Sequence, residues 1–99
     1  MRIIARKTLK DFWEKSGRRD SEQPLKSWFE MVSKADWGRP ADVKERFRSA
    51  SFVGSNRVVF NIAGNKYRLV VAVNYAYRVV YIRFIGTHQQ YDAIDVGEV

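Results

Sequence analysis

The hydrophobic period of this 99-residue chain changes once, at Gly54-Ser55-Asn56, and that change most limits what it can fold into. Before it, apolar residues recur at helical spacing: Leu9, Phe12 and Trp13, then Leu25, Trp28, Phe29 and Val32. After it come short runs of β-branched and aromatic residues at 57–62, 66–73 and 77–85. Ala63-Gly64-Asn65 and Asn74-Tyr75-Ala76 separate them as tight turns. Strands joined this closely pair antiparallel, because a parallel pair needs a crossover of a dozen or more residues.

The helical half supplies its own punctuation. Thr8 is the predicted N-cap of the first helix and Ser16-Gly17 its stop. Pro24 suits the first turn of a second helix, with Ser21 or Glu22 as its cap. Trp37-Gly38-Arg39-Pro40 breaks that helix, residues 41–47 predict a short third, and Ile3 and Ile4 a short opening strand. Strand alternation then sorts the side chains. One face carries Val58, Phe60, Ile62, Leu69, Val71, Val73, Val80, Ile82 and Phe84. The other carries Asn61, Arg68, Val70, Ala72, Val79, Tyr81 and Arg83 and is expected to stay free, cationic at one end. The apolar face needs the helices as cover, so their aromatic stripe is read as core. The expectation is an α+β fold, an N-terminal strand and helices on one face of an antiparallel β-meander, in a single domain over 1–99.

Several function classes drop out. With no cysteine there is neither a disulfide nor a thiolate metal site. His88 is the only histidine and has no acidic cluster beside it in sequence, so neither metal nor cofactor is expected. No apolar stretch approaches the roughly 18 residues of a membrane span. The opening Met-Arg-Ile-Ile-Ala-Arg-Lys is too short and interrupted for a signal peptide, so the cytoplasm is expected. Charge points the other way, toward a partner. The 18 Lys and Arg outnumber the 11 Asp and Glu, and residues 46–91 hold no carboxylate at all. A one-sign field over half a domain is the footprint of a polyanion.

Within that stretch His88 follows the third predicted strand, with Tyr91 three residues on and Arg68, Lys66 and Arg83 on neighbouring segments. These residue types suit RNA cleavage by the 2′-hydroxyl. The reaction needs a base, cations for the charge on the phosphorus oxygens, and an acid for the departing 5′-oxygen. Histidine titrates near neutrality and arginine clamps phosphate oxygens. Tyrosine can transfer a proton or stack on a base. Read from residues alone, His88 can equally be a turn residue and the arginines ordinary strand residues. A non-catalytic RNA- or ribosome-binding module stays open.

The run Gly64-Asn-Lys-Tyr-Arg-Leu69, then Val80-Tyr-Ile-Arg-Phe84, Gly86-Thr-His88 and Tyr91-Asp92 resembles the HigB branch of the RelE/ParE toxin superfamily. The likeness extends over almost the whole chain. It implies a RelE-like fold and a metal-free endoribonuclease that cuts mRNA in the A site of the 70S ribosome. It also implies a helix-turn-helix HigA antitoxin as partner, with operator DNA engaged only through the toxin–antitoxin complex. By position, the resemblance assigns catalysis to Arg68, His88 and Tyr91. Lys66, Arg83, Asn61 and Arg57 are read as RNA-binding. RelE proper has a lysine where Asn61 stands here, so that role is unfilled or passes to Lys66. A ParE-like gyrase poison on the same fold is the competing reading.

Overall fold

The computed structural model describes residues 1–54 and 56–99; Ser55, the middle of the predicted switch in period, lies outside the described residues. Strand β1 (Arg2–Ile4) leads into α1 (Arg6–Trp13), and a 3-10 turn (Arg19–Ser21) opens α2 (Glu22–Ser33). Next come α3 (Pro40–Arg46), β2 (Ser51–Val53), β3 (Arg57–Ile62), β4 (Tyr67–Asn74), β5 (Val79–Thr87) and α4 (His88–Asp92). The sheet order is β1-β5-β4-β3-β2. The predicted meander forms its centre and the expected α+β class holds.

Both edges go beyond expectation. β1 lies parallel to β5, Ile3 opposite Val80, which makes the sheet mixed. β2, not predicted at all, pairs antiparallel with β3. At the first helix the predicted cap was wrong: Thr8 lies inside α1, and extended Ala5 occupies the N-cap position. The Thr8 amide donates to the Ala5 carbonyl, so the helix starts three residues earlier than side-chain chemistry suggests. Ser21 does precede α2, but its hydroxyl donates back to the Arg18 carbonyl instead of capping.

The core lies between the helices and one sheet face. Leu9, Leu25, Val32 and Val43 from the helices and Val58, Leu69, Val71 and Val80 from the strands are fully buried. Phe60 is its aromatic centre, with Trp28 edge-on at 5.4 Å, Phe47 at 5.0 Å and Trp37 stacked at 6.5 Å. The helical aromatic stripe is therefore core, as read.

The opposite face needs two corrections. Val71 pairs with Ile82 but Val70 pairs with Phe84, leaving Arg83 as the extra residue of a β-bulge. A bulge shifts every later side chain to the other face. Phe84 therefore leaves the helix-covered face, and Ile85 packs on the core in its place. Nor is this second face free: Val59, Val70 and Ala72 on it are 4%, 0% and 4% exposed. Opposite Ala72, the Arg57 guanidinium donates to the Val99 main-chain oxygen at 2.7 and 3.0 Å.

Candidate functional site

Three strands carry one row across this second face: Asn61 opposite Arg68, and Arg68 opposite Gly86. Directly opposed residues stand with Cβ atoms about 5 Å apart. The row sits at the end of the sheet where β5 runs straight into α4. Thr87 caps that helix with a reciprocal pair: the Gln90 amide donates to its hydroxyl at 3.1 Å, and its own amide donates to Gln90 Oε1 at 2.9 Å. Gly86 makes the close approach possible, since a Cβ there would come within 2.7 Å of Gln90 Oε1 and 2.6 Å of the Phe84 ring.

Helix α4 sets the candidate chemistry. His88 and Asp92 are four residues apart, hence stacked on one helical face, and His88 Nδ1 lies 3.1 Å from Asp92 Oδ2. With Nδ1 engaged by the carboxylate, the imidazole presents Nε2 outward. Tyr91 follows His88 by one turn and is half-buried; its hydroxyl has no hydrogen bond to any described residue. The His88 amide donates to the Lys66 carbonyl at 3.2 Å, which ties α4 to the turn between β3 and β4. Arg68 is the second residue of β4, just beyond that turn.

Sequence reasoning described this cluster as free of carboxylates, and that is overturned. Asp92 pairs with His88, and Asp20, from the 3-10 turn, accepts hydrogen bonds from Lys66 Nζ and from the buried Tyr67 hydroxyl. Lys66 is thereby drawn toward the helical layer and its charge is partly answered. Asp20 lies 46 residues before Lys66, so no local pattern reveals the pair. Asp92 was visible in the sequence, but its i,i+4 relation to His88 has meaning only once residues 88–92 are known to be helical.

The remaining predicted RNA contacts spread along the face. Arg83, on the bulge, lies with its guanidinium 5.4 Å from the Tyr81 ring centre. It is roughly 7–10 Å along the strand from the Arg68 row. Arg57 pairs with Ala72, about 13 Å along β3 from Asn61, and is bonded to Val99 and Asn56. The structure thus puts Asn61 and Arg68 in one row and ties His88, two residues beyond Gly86, to Lys66 beside it, with Tyr91 one helical turn further on; Arg83 and Arg57 lie apart along their strands.

Hydrogen bonds from Lys66 first and Tyr67 second hold the Asp20 carboxyl below the ordinary aspartate range. A depressed folded-state pKa gives stability that is present above the unfolded value and lost as pH falls through the folded one. Asp20→Asn is therefore expected to lower the melting temperature at pH 7, with the gap to the parent narrowing below about pH 4. Thermal unfolding at pH 7 and pH 3 checks this, and an unchanged gap counts against it.

Residues 21–94 match the HigB_toxin family, the RelE-like toxic component of a toxin-antitoxin system. The chain belongs to the HigB toxin family. It is 32% identical over 94 residues to the mRNA interferase toxin HigB of Escherichia coli K12, covering 93% of this chain and 88% of that one. The mRNA interferase HigB proteins of Escherichia coli O157:H7 and Shigella flexneri match at the same 32% over the same 94 residues. The family match takes in the Arg68 row, His88 and Tyr91, and it also covers Asp92. HigB membership agrees with the observed mixed sheet and its helical cover. Among the described residues no helix is long and apolar enough to cross a membrane.

Proposed function

We propose that this chain is an mRNA interferase that cuts messenger RNA in the ribosomal A site through Arg68, His88 and Tyr91. The observation that carries the reading is the His88–Asp92 pair set beside the Arg68 row in a member of the HigB family. In the proposed reaction the 2′-oxygen attacks the adjacent phosphorus and the bond to the 5′-oxygen breaks, leaving a 2′,3′-cyclic phosphate and a 5′-hydroxyl. A neutral His88, its Nδ1–H directed at Asp92, has an Nε2 lone pair to take the 2′-hydroxyl proton. Arg68 stabilises the charge gathering on the non-bridging oxygens. Tyr91, its hydroxyl uncommitted, either returns a proton to the 5′-oxygen or stacks on a base. Asn61 and Lys66 contact the flanking RNA, with Arg83 and Arg57 further along the strand. The partners are the 70S ribosome and a HigA-type antitoxin, through which alone the complex meets operator DNA.

The deciding experiment expresses the protein briefly and maps RNA 5′ ends across the transcriptome. New 5′-hydroxyl ends inside translated frames are expected. Intact transcripts with accumulating DNA breaks would instead make it a gyrase poison. Ribosome binding with neither lesion would leave a non-catalytic module.

A further inference from the structure

A guanidinium has five N–H donors arranged as two forks, one at the end between Nη1 and Nη2 and one at the side between Nε and Nη2. In Arg68 the end fork is occupied by a single residue. Nη2 donates to the Asn65 side-chain oxygen at 2.7 Å, and Nη1 donates to the Asn65 main-chain oxygen at 3.2 Å. A longer contact of 3.4 Å from Nη1 to the Tyr67 carbonyl uses a third donor. What remains is Nε–H and one Nη2–H, the side fork, which matches two oxygens of a phosphate.

We propose that Asn65 is a positioning residue for RNA cleavage, gripping the end of the Arg68 guanidinium so that its side fork faces the scissile phosphate. This rests on the ribonuclease reading given above. The backbone supports the grip. Ala63 and Gly64 both adopt left-handed conformations, φ 54° and 69°, which turns the chain tightly enough to set the Asn65 oxygens over Arg68. The next residue, Lys66, receives the His88 amide, so one turn fixes both the cation and the base. The choice of an amide matters chemically. A carboxylate at this position would accept the same hydrogen bonds but would neutralise the charge that the phosphate needs. Asparagine orients the arginine and leaves its full charge to the substrate.

The two properties, orientation and charge, separate by mutation. In Asn65→Ala, Arg68 keeps its charge and its bonds to main-chain oxygens but loses the short side-chain bond that fixes Nη2. The single-turnover cleavage rate on ribosome-bound mRNA is expected to fall about tenfold or more, since small misplacements cost rates of that order. The salt dependence of binding to a short single-stranded RNA stays that of the parent. In Asn65→Asp the grip returns but the charge is answered. The slope of log affinity against log salt is then expected to become shallower by about 0.7, the value of one lost single-strand phosphate contact. In an Arg68→Ala background, Asn65→Ala is expected to add nothing, because the two changes remove one shared interaction. An Asn65→Ala protein that cleaves at the parental rate overturns the role while leaving the ribonuclease reading intact. So does a double variant in which the losses multiply. A parent protein that cuts no RNA overturns the reading beneath it.

Discussion

Replacing His88 with alanine should lower RNA cleavage by roughly 10²–10⁴-fold, the usual contribution of a positioned general base or acid, and leave ribosome binding nearly unchanged. The side chain is exposed and packs on no core residue, so its removal spares the fold. Its partner gives a sharper version of the same test. Asp92→Asn keeps the shape but replaces an acceptor-only carboxylate with an amide that can also donate. The amide can favour the tautomer that puts the proton on Nε2, where the lone pair is required. Asp92→Asn is therefore expected to show a substantial part of the fall in cleavage seen in His88→Ala, again with ribosome binding nearly unchanged. Arg68→Ala differs in kind: it removes a phosphate contact and should weaken binding and cleavage together. A His88→Ala protein that cleaves within a few-fold of the parent would remove histidine from the mechanism.

How far the sequence disclosed this site depends on the range of the interactions involved. The central strands were legible because β3, β4 and β5 repeat apolar residues every second position, and that period is set by local backbone geometry. The Asn61–Arg68 row followed from the same alternation. The bulge did not, because nothing in Ile82-Arg83-Phe84 marks an extra residue, and it moved Phe84 to the wrong side of the sheet. Helix α4 is absent from the elements that the sequence predicts. It has five residues and no buried side chain, and a helix that short does not form on its own. Its capping box, Thr87 to Gln90, is a local pattern that the sequence carries, but the Lys66 carbonyl that accepts from the His88 amide reaches it only once the sheet is built. Asp92 and Asp20 were missed for the same reason: each meets its basic partner only after a helix or a long loop has closed.

The core carries the other large effect. Phe60 is 1% exposed and its ring is surrounded by Trp28, Phe47 and Trp37, rings contributed by three separate segments of the helical half. Phe60→Ala removes the aromatic contacts and leaves a cavity that three large rings cannot fill without leaving their own rotamers. The expected loss is about 3–5 kcal/mol, set against about 5–15 kcal/mol for the whole of a typical domain. That loss is enough to leave a substantial fraction of the chain unfolded at 37 °C if the parent lies at the low end. Phe60→Leu keeps most of the volume and should cost markedly less. Denaturant unfolding of the three proteins checks the order. Because Phe60 faces the helices while its neighbour Asn61 faces the Arg68 row, the comparison also separates stability from chemistry on one strand. Phe60→Leu is expected to cleave RNA at close to the parental rate wherever it is folded, whereas Asn61→Ala should unfold near the parental midpoint and bind RNA less tightly. If Phe60→Ala unfolds within about 1 kcal/mol of the parent, below the usual range for a buried phenylalanine, then Phe60 is not the packing centre of this fold.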